Sequence, residues 1–219
     1  MIDLEKQKEN FKNHIATFTD YGNIKILDFK APDTLYYRIR FMFEEDYYRL
    51  HISGDLGELI ATNYNNMTYK GFKDFVHNTR YFEEKINCSS RKIYSYDKNK
   101  AKQDLLKLVE KYDLKEELGR VYTWESEEES INDVIDEILS DFDSDRGIGS
   151  KGYDIASEYI SDFWEHAEYI GREETGILDL YMLAFELATK QLANYEKVNG
   201  ENSETMTKET RLNVQVESL

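Results

Sequence analysis

The sequence predicts an α+β fold: a small N-terminal antiparallel sheet packed with helices, followed by an acidic all-helical C-terminal unit. Three observations predict it. Apolar residues alternate with period two between residues 35 and 62, they recur at helical spacing from residue 71 onward, and the acidic excess lies in the second half of the chain. With 219 residues, 40% hydrophobic and 33% charged, the chain has enough apolar material to bury a sizeable core. The expected boundaries are 1–120 for an α/β unit with a β-meander, 121–199 for the acidic helical unit and 200–219 for a polar, flexible tail.

Taken in order, Leu4, Phe11, Ile15 and Phe18 recur at helical spacing and predict an opening amphipathic helix, ended by the turn residues after Asp20. Asn23–Phe29 is a short apolar segment, and Pro32-Asp33 marks a loop. Between Leu35 and Phe43, Leu35, Tyr37, Ile39, Phe41 and Phe43 face one way, and Tyr36, Arg38, Arg40 and Met42 the other. Glu44-Glu45-Asp46 turns the chain into a second strand, Tyr47–Ser53, where Tyr48, Leu50 and Ile52 alternate with Tyr47, Arg49 and His51. After the turn at Ser53–Gly57, Glu58–Thr62 returns as a third strand. The expected meander has one apolar face for helices to cover and one basic, aromatic face.

Beyond residue 71 the expectation is helical throughout. The stripes are Phe72–Ile86; Ala101–Tyr112, capped by Asp97 or Asn99; residues 130–142; Tyr153–Ala167; and a last helix to about Tyr195. The segment Gly147–Gly152 reads as an interhelical hinge. It lacks the Gly-Lys-Ser/Thr order of a P-loop, and the aspartates upstream repel phosphate.

Charge narrows the function further. Lys and Arg number 28 and Asp and Glu 44, a net charge of −16; residues 101–219 alone carry 12 basic and 29 acidic side chains, net −17. That balance opposes duplex nucleic acid and favours basic grooves on other proteins. From residue 125 to 145 the chain has ten carboxylates and no Lys or Arg: Glu125, Glu127, Glu128, Glu129, Asp133, Asp136, Glu137, Asp141, Asp143 and Asp145. Carboxylates along one helix face lie ~5–6 Å apart, comparable to the spacing of phosphates on a strand, so the stretch reads either as a phosphate-mimicking stripe or as a solvated helix face. The second candidate surface is Tyr36, Arg38, Arg40, Tyr47, Arg49 and His51, where arginines and tyrosines on an open sheet stack on unpaired bases or simply pair across strands.

Catalytic and metal chemistry find less support. Asp141-Phe-Asp143-Ser-Asp145 opens like a calcium loop. Arg146, however, stands where glycine is needed, and Gly152 where a bidentate glutamate must close the site. Cys88 and His77 make at most a weak thiol–imidazole pair, Asp162 and His166 stand one helical turn apart, and the four histidines show no metal-ligand spacing. A single cysteine excludes an internal disulfide framework. The opening residues MIDLEKQKEN have no apolar core, and no run reaches the ~18 apolar residues of a membrane span, so a cytoplasmic protein without metal or cofactor is expected.

The strings Tyr36–Tyr48, Ile52-Ser-Gly-Asp-Leu-Gly-Glu58, Tyr81–Ile86 and Ser89-Ser90 to Tyr96-Asp97 resemble small proteins encoded by phages of low-GC Gram-positive bacteria, among which anti-CRISPR inhibitors of type II effector nucleases occur. The resemblance spans residues 34–110 and carries over no functional residue. It implies a non-enzymatic binding protein in the host cytoplasm whose partner is a bacterial CRISPR effector nuclease, alone or with its guide RNA. The alternative from the residues is a metal-dependent nuclease or nucleic-acid-processing enzyme using Asp141, Asp143 and Asp145. A plain interaction scaffold is the third reading.

Overall fold

The structure, a computed structural model, describes residues 2–122 and 126–201. Its first large element is a six-stranded antiparallel meander: β1 (Ile15–Asp20), β2 (Ile24–Lys30), β3 (Ile39–Glu44), β4 (Arg49–Gly54), β5 (Leu59–Thr62) and β6 (Ile86–Ser89), paired in sequence order. The predicted α+β class stands, and the sheet is twice as wide as the three strands expected.

Two of the added strands come from the predicted opening helix and the short apolar segment after it. The helix stops early: α1 is only Leu4–Lys8, followed by a 3-10 turn at Glu9–Phe11. Ile15–Asp20 instead pairs residue for residue with Lys25–Lys30. The run Ile-Ala-Thr-Phe-Thr is β-branched and aromatic, and strand pairing outcompetes the chance i, i+4, i+7 coincidence of Phe11, Ile15 and Phe18. The strand predicted to begin at Leu35 begins at Ile39, because Tyr37 takes a left-handed backbone with φ 57°. The predicted helix over Phe72–Ile86 breaks into a 3-10 turn (Phe72–Phe75), the short α2 (Thr79–Glu83) and β6.

One sheet face is apolar. Leu27, Phe29, Ile39, Phe41, Phe43, Leu50, Ile52, Leu59 and Ala61 are buried there with Phe72, Phe75 and Phe82. The last helix, here α8 (Ile177–Glu201), lays Tyr181, Met182, Phe185 and Ala188 into the same core. Phe185 meets Phe41, Phe43 and Phe72 edge-on at 5.4, 6.2 and 4.8 Å between ring centroids. The fully buried Tyr181 hydroxyl donates to Leu56 O at 3.0 Å, and burial pushes its pKa up to about 12, so it stays a neutral donor. Gln191 serves edge strand β1: its side-chain oxygen accepts from Ala16 N, and its amide donates to His14 O at 3.1 Å.

The chain divides into two compact units: residues 94–175, and residues 2–93 joined by the chain from 176 onward. The first is an insertion in the second, so the division falls after residues 93 and 175, where sequence reading placed one boundary at 120. It contains β7 (Tyr94–Tyr96), α3 (Lys98–Lys111), α4 (Lys115–Leu118), α5 (Glu127–Ile138), α6 (Ser150–Tyr159), α7 (Trp164–Ala167) and β8 (Arg172–Glu174), with β7 and β8 paired antiparallel. The expectation of an all-helical unit is corrected by that ribbon, and the predicted helix over Tyr153–Ala167 is two helices divided at Asp162, whose φ is 57°. Leu105, Val109, Leu118, Val134, Ile135, Ile138, Ala156, Ile160 and Phe163 form its core. Residues 94–175 hold 10 basic and 23 acidic side chains, a net charge of −13, so most of the chain's excess belongs to this insertion. Among the described residues no helix is long and apolar enough to cross a membrane.

Candidate acidic binding surface

Helix α5 is specified by its ends and its stripe. Ser126 caps it: Ser126 Oγ accepts from Glu129 N, and Glu129 Oε2 accepts from Ser126 N at 3.1 Å and Ser126 Oγ at 2.8 Å, completing a capping box. These bonds hold the Glu129 carboxyl below its ordinary pKa. Ile131, Val134, Ile135 and Ile138 face the core, and Ser130 is buried with them, donating to Leu118 O at 2.7 Å and accepting from Tyr122 N.

That geometry divides the ten predicted carboxylates. Glu125 lies outside the described residues. Glu129 is occupied by the cap. Asp136 accepts from Lys102 Nζ at 2.9 Å, and Glu137 lies 3.7 Å from Lys151 Nζ and accepts from the Tyr122 hydroxyl at 3.5 Å. Asp141 is a helix anchor: its two oxygens accept from Lys151 N (2.9 Å) and Gly152 N (3.1 Å) at the start of α6. Asp143 accepts from Asp145 N at 2.9 Å in an Asx turn and lies 3.7 Å from Arg146. Glu127, Glu128 and Asp133 are exposed and form no ion pair among the described residues.

The loop after α5 is therefore built by its own hydrogen bonds. Asp143 and Gly147 exchange backbone bonds at 2.9 and 2.7 Å. Gly147 sits at φ 80°, where a Cβ would come within 2.9 Å of the Tyr96 ring, and a Cβ on Gly152 would stand 1.9 Å from Ile138 O. The glycines allow α5 and α6 to approach, so the predicted hinge is a tight joint. Among the described residues no group of three or more His, Cys, Asp or Glu side chains is placed to hold a metal ion.

Sequence reading missed acids contributed by neighbouring helices. The phenol of Tyr159 has its pKa raised first by burial and then by the charges of Glu158, Glu117 and Glu137, which belong to α6, α4 and α5. In the same unit, Leu106, Val109 and Ile131 line an open groove of about 510 Å3 with Glu127, Glu128 and Glu110, the last paired with Lys115 at 3.3 Å. The Ser126-x-x-Glu129 signature, visible in the sequence, would have placed the start of α5 correctly.

The second candidate surface disperses. Tyr36 and Arg38 lie in the loop before β3, and Tyr47 in the β3–β4 turn, so only Arg40, Arg49 and His51 stand on the open sheet face. Arg40 is held in a two-point pair by Asp28 at 2.7 and 2.8 Å, and Arg49 and His51 approach Glu44 at 3.5 and 3.2 Å. Cys88 is exposed on β6, opposite Ile60. His166 Nε2 lies 2.8 Å from the Tyr112 hydroxyl.

Comparison with protein-family models, curated proteins and solved structures finds no match to the chain.

Proposed function

We propose that the protein is a binding protein whose acidic unit, residues 94–175, occupies a cationic groove on another protein in place of nucleic acid. The observation that supports this is the −13 charge of that unit, 10 basic against 23 acidic side chains, with Glu127, Glu128 and Asp133 exposed along α5. A surface of that sign and density attracts a phosphate-binding groove and repels nucleic acid itself. The first partner to test is a guide-loaded type II CRISPR effector nuclease, the class that the resemblance of residues 34–110 implies; the activity is then phage anti-defence inhibition in the host cytoplasm. Use of Asp141, Asp143 and Asp145 as a nuclease centre is disfavoured, because both Asp141 oxygens are engaged by the backbone of α6.

The test is binding of the full chain to immobilised guide-loaded nuclease over a salt series. The expected result is an affinity that falls steeply with salt and drops about a thousandfold when Glu127, Glu128 and Asp133 are together changed to lysine, since close interfacial charge pairs couple by ~1.5 kcal/mol or more. Binding indifferent to salt and to the triple variant would refute the reading.

A further inference from the structure

An antiparallel meander brings its turns to two ends, and one end of this sheet collects tyrosines. Tyr21 in the β1–β2 turn is 68% exposed, Tyr47 in the β3–β4 turn 69%, and Tyr64 after β5 87%. The register places them together: Asp20 pairs with Lys25, Ile24 with Glu44, Glu44 with Arg49 and Arg49 with Thr62. Asn23 Nδ2 donates to Asp46 Oδ2 at 2.9 Å, tying two of the turns. Tyr48 adopts φ 48°, a left-handed conformation that a β3–β4 turn normally gives to glycine or asparagine.

Tyr47, Tyr48, Thr62, Asn63, Tyr64 and Lys85 line an open groove of about 470 Å3. Lys85, the cation in its lining, is already matched, and so is Arg49 on the adjoining strand. Lys85 Nζ lies 3.3 Å from the Glu84 carboxylate and 4.2 Å from the Tyr81 ring centroid; Arg49 lies 3.5 Å from Glu44 and 5.7 Å from the Tyr47 centroid. A phosphate would find no uncompensated charge there, so the chemistry fits an uncharged ligand. What the groove offers is aromatic faces, phenol hydroxyls, the Thr62 hydroxyl and the Asn63 carbonyl oxygen.

We infer that this groove binds a neutral saccharide, whose C–H faces pack on the tyrosine rings while its hydroxyls exchange hydrogen bonds with the phenols, Thr62 and Asn63. The site belongs to the sheet unit and rests on nothing in the acidic unit.

The experiment is an NMR titration of the isotope-labelled full chain with neutral di- and trisaccharides of glucose, galactose, mannose and N-acetylglucosamine. The expected result is saturable shifts confined to amides 45–49, 62–66 and 85 with at least one of them. Tyr47→Ala and Tyr64→Ala should each weaken that binding about tenfold or more, while Tyr36→Ala, at the opposite end of the sheet, leaves it unchanged. Silence with every saccharide at millimolar concentration would overturn the inference. So would equal binding by the Tyr47 and Tyr64 variants, or shifts produced there only by an oligothymidine strand.

Discussion

The sheet unit, residues 2–93 with the chain from 176 onward, holds 18 basic and 21 acidic side chains and pairs many of them: Arg40 with Asp28, Arg49 with Glu44, Lys25 with Asp20 and Glu45. Residues 94–175, with 10 against 23, lack the cations to do the same. There the carboxylates serve the backbone: Asp97 accepts from Lys100 N at the start of α3, Glu129 closes the cap of α5, and Asp141 holds the first turn of α6. Among the described residues, Glu127, Glu128 and Asp133 then stand exposed and outside any ion pair, open to solvent or to a partner. One chain thus uses charge in two ways: as cross-strand pairing in the sheet unit, and as capping plus an unbalanced surface in the insertion.

The largest effect that sharpens this contrast comes from the core. Phe185→Ala removes a ring packed on Phe41, Phe43 and Phe72 and should cost about 3–5 kcal/mol, with the loss confined to the sheet unit. Chemical denaturation followed by amide exchange should show the core strands losing protection while α5 and α6 keep theirs. Equal loss in both units would erase the distinction drawn between them.

Next in size is Asp141→Ala, which leaves two amide donors of α6 without their acceptor and should cost about 1–2 kcal/mol, read as a lower denaturation midpoint of the insertion. Calcium or magnesium should not restore it, nor shift the wild-type transition. A cation-dependent rise in melting temperature would instead give Asp141, Asp143 and Asp145 a ligating role.

A pH series separates the units further. His14 is buried against Phe11 and Phe29, and burial lowers its pKa below the ordinary 6.5, against the pull of the Tyr37 carbonyl. The unfolded chain therefore takes up the proton first. The stabilisation is complete above pH 6.5 and is lost as pH falls through that value and past the depressed one. In the insertion, burial opposes ionisation of Asp104, but bonds from Lys100, Lys107 and Gly171 N outweigh it and hold its pKa below 3.8. That contribution is present above 3.8 and is lost only as pH falls through the lower folded value. Mild acid should weaken the sheet unit first, and His14→Phe should flatten that response. A melting temperature of the sheet unit that is flat between neutral pH and pH ~5 would contradict the assignment.

The smallest expected effect is on stability when Glu127, Glu128 and Asp133 become lysine. The three are exposed, which keeps each change small. Glu127 and Glu128, however, stand in the first turn of α5, where the helix dipole favours carboxylates, so reversal there should cost about 0.3–1 kcal/mol each. A large destabilisation would mean they belong to the fold.

Much of the helical part was legible because its stripes are long: Ala101, Leu105 and Val109 on α3, and Val134, Ile135 and Ile138 on α5, mark their buried faces. The strands β3 to β5 were legible through alternation. Ile15–Asp20 was not, since a few apolar residues fit both periods and only pairing with β2 decides between them. Nor was the insertion, because nothing local announces that α8 returns to the N-terminal sheet. The carboxylates were visible as a run, but their division into caps, ion pairs and unpaired groups depends on where α3, α4 and α6 lie around α5. The tyrosine rim is equally a product of topology, since Tyr21, Tyr47 and Tyr64 are far apart in sequence and come to one end of the sheet only through the register of five strands.

The central claim, that the acidic unit takes the place of nucleic acid, is tested most directly by competition. Labelled target duplex bound to the guide-loaded nuclease is titrated with the full chain. The account predicts displacement of the duplex at stoichiometric protein, and none by the Glu127, Glu128 and Asp133 triple lysine variant at the same concentration. A complex in which nuclease, duplex and this protein coexist, with the duplex affinity unchanged, would contradict it.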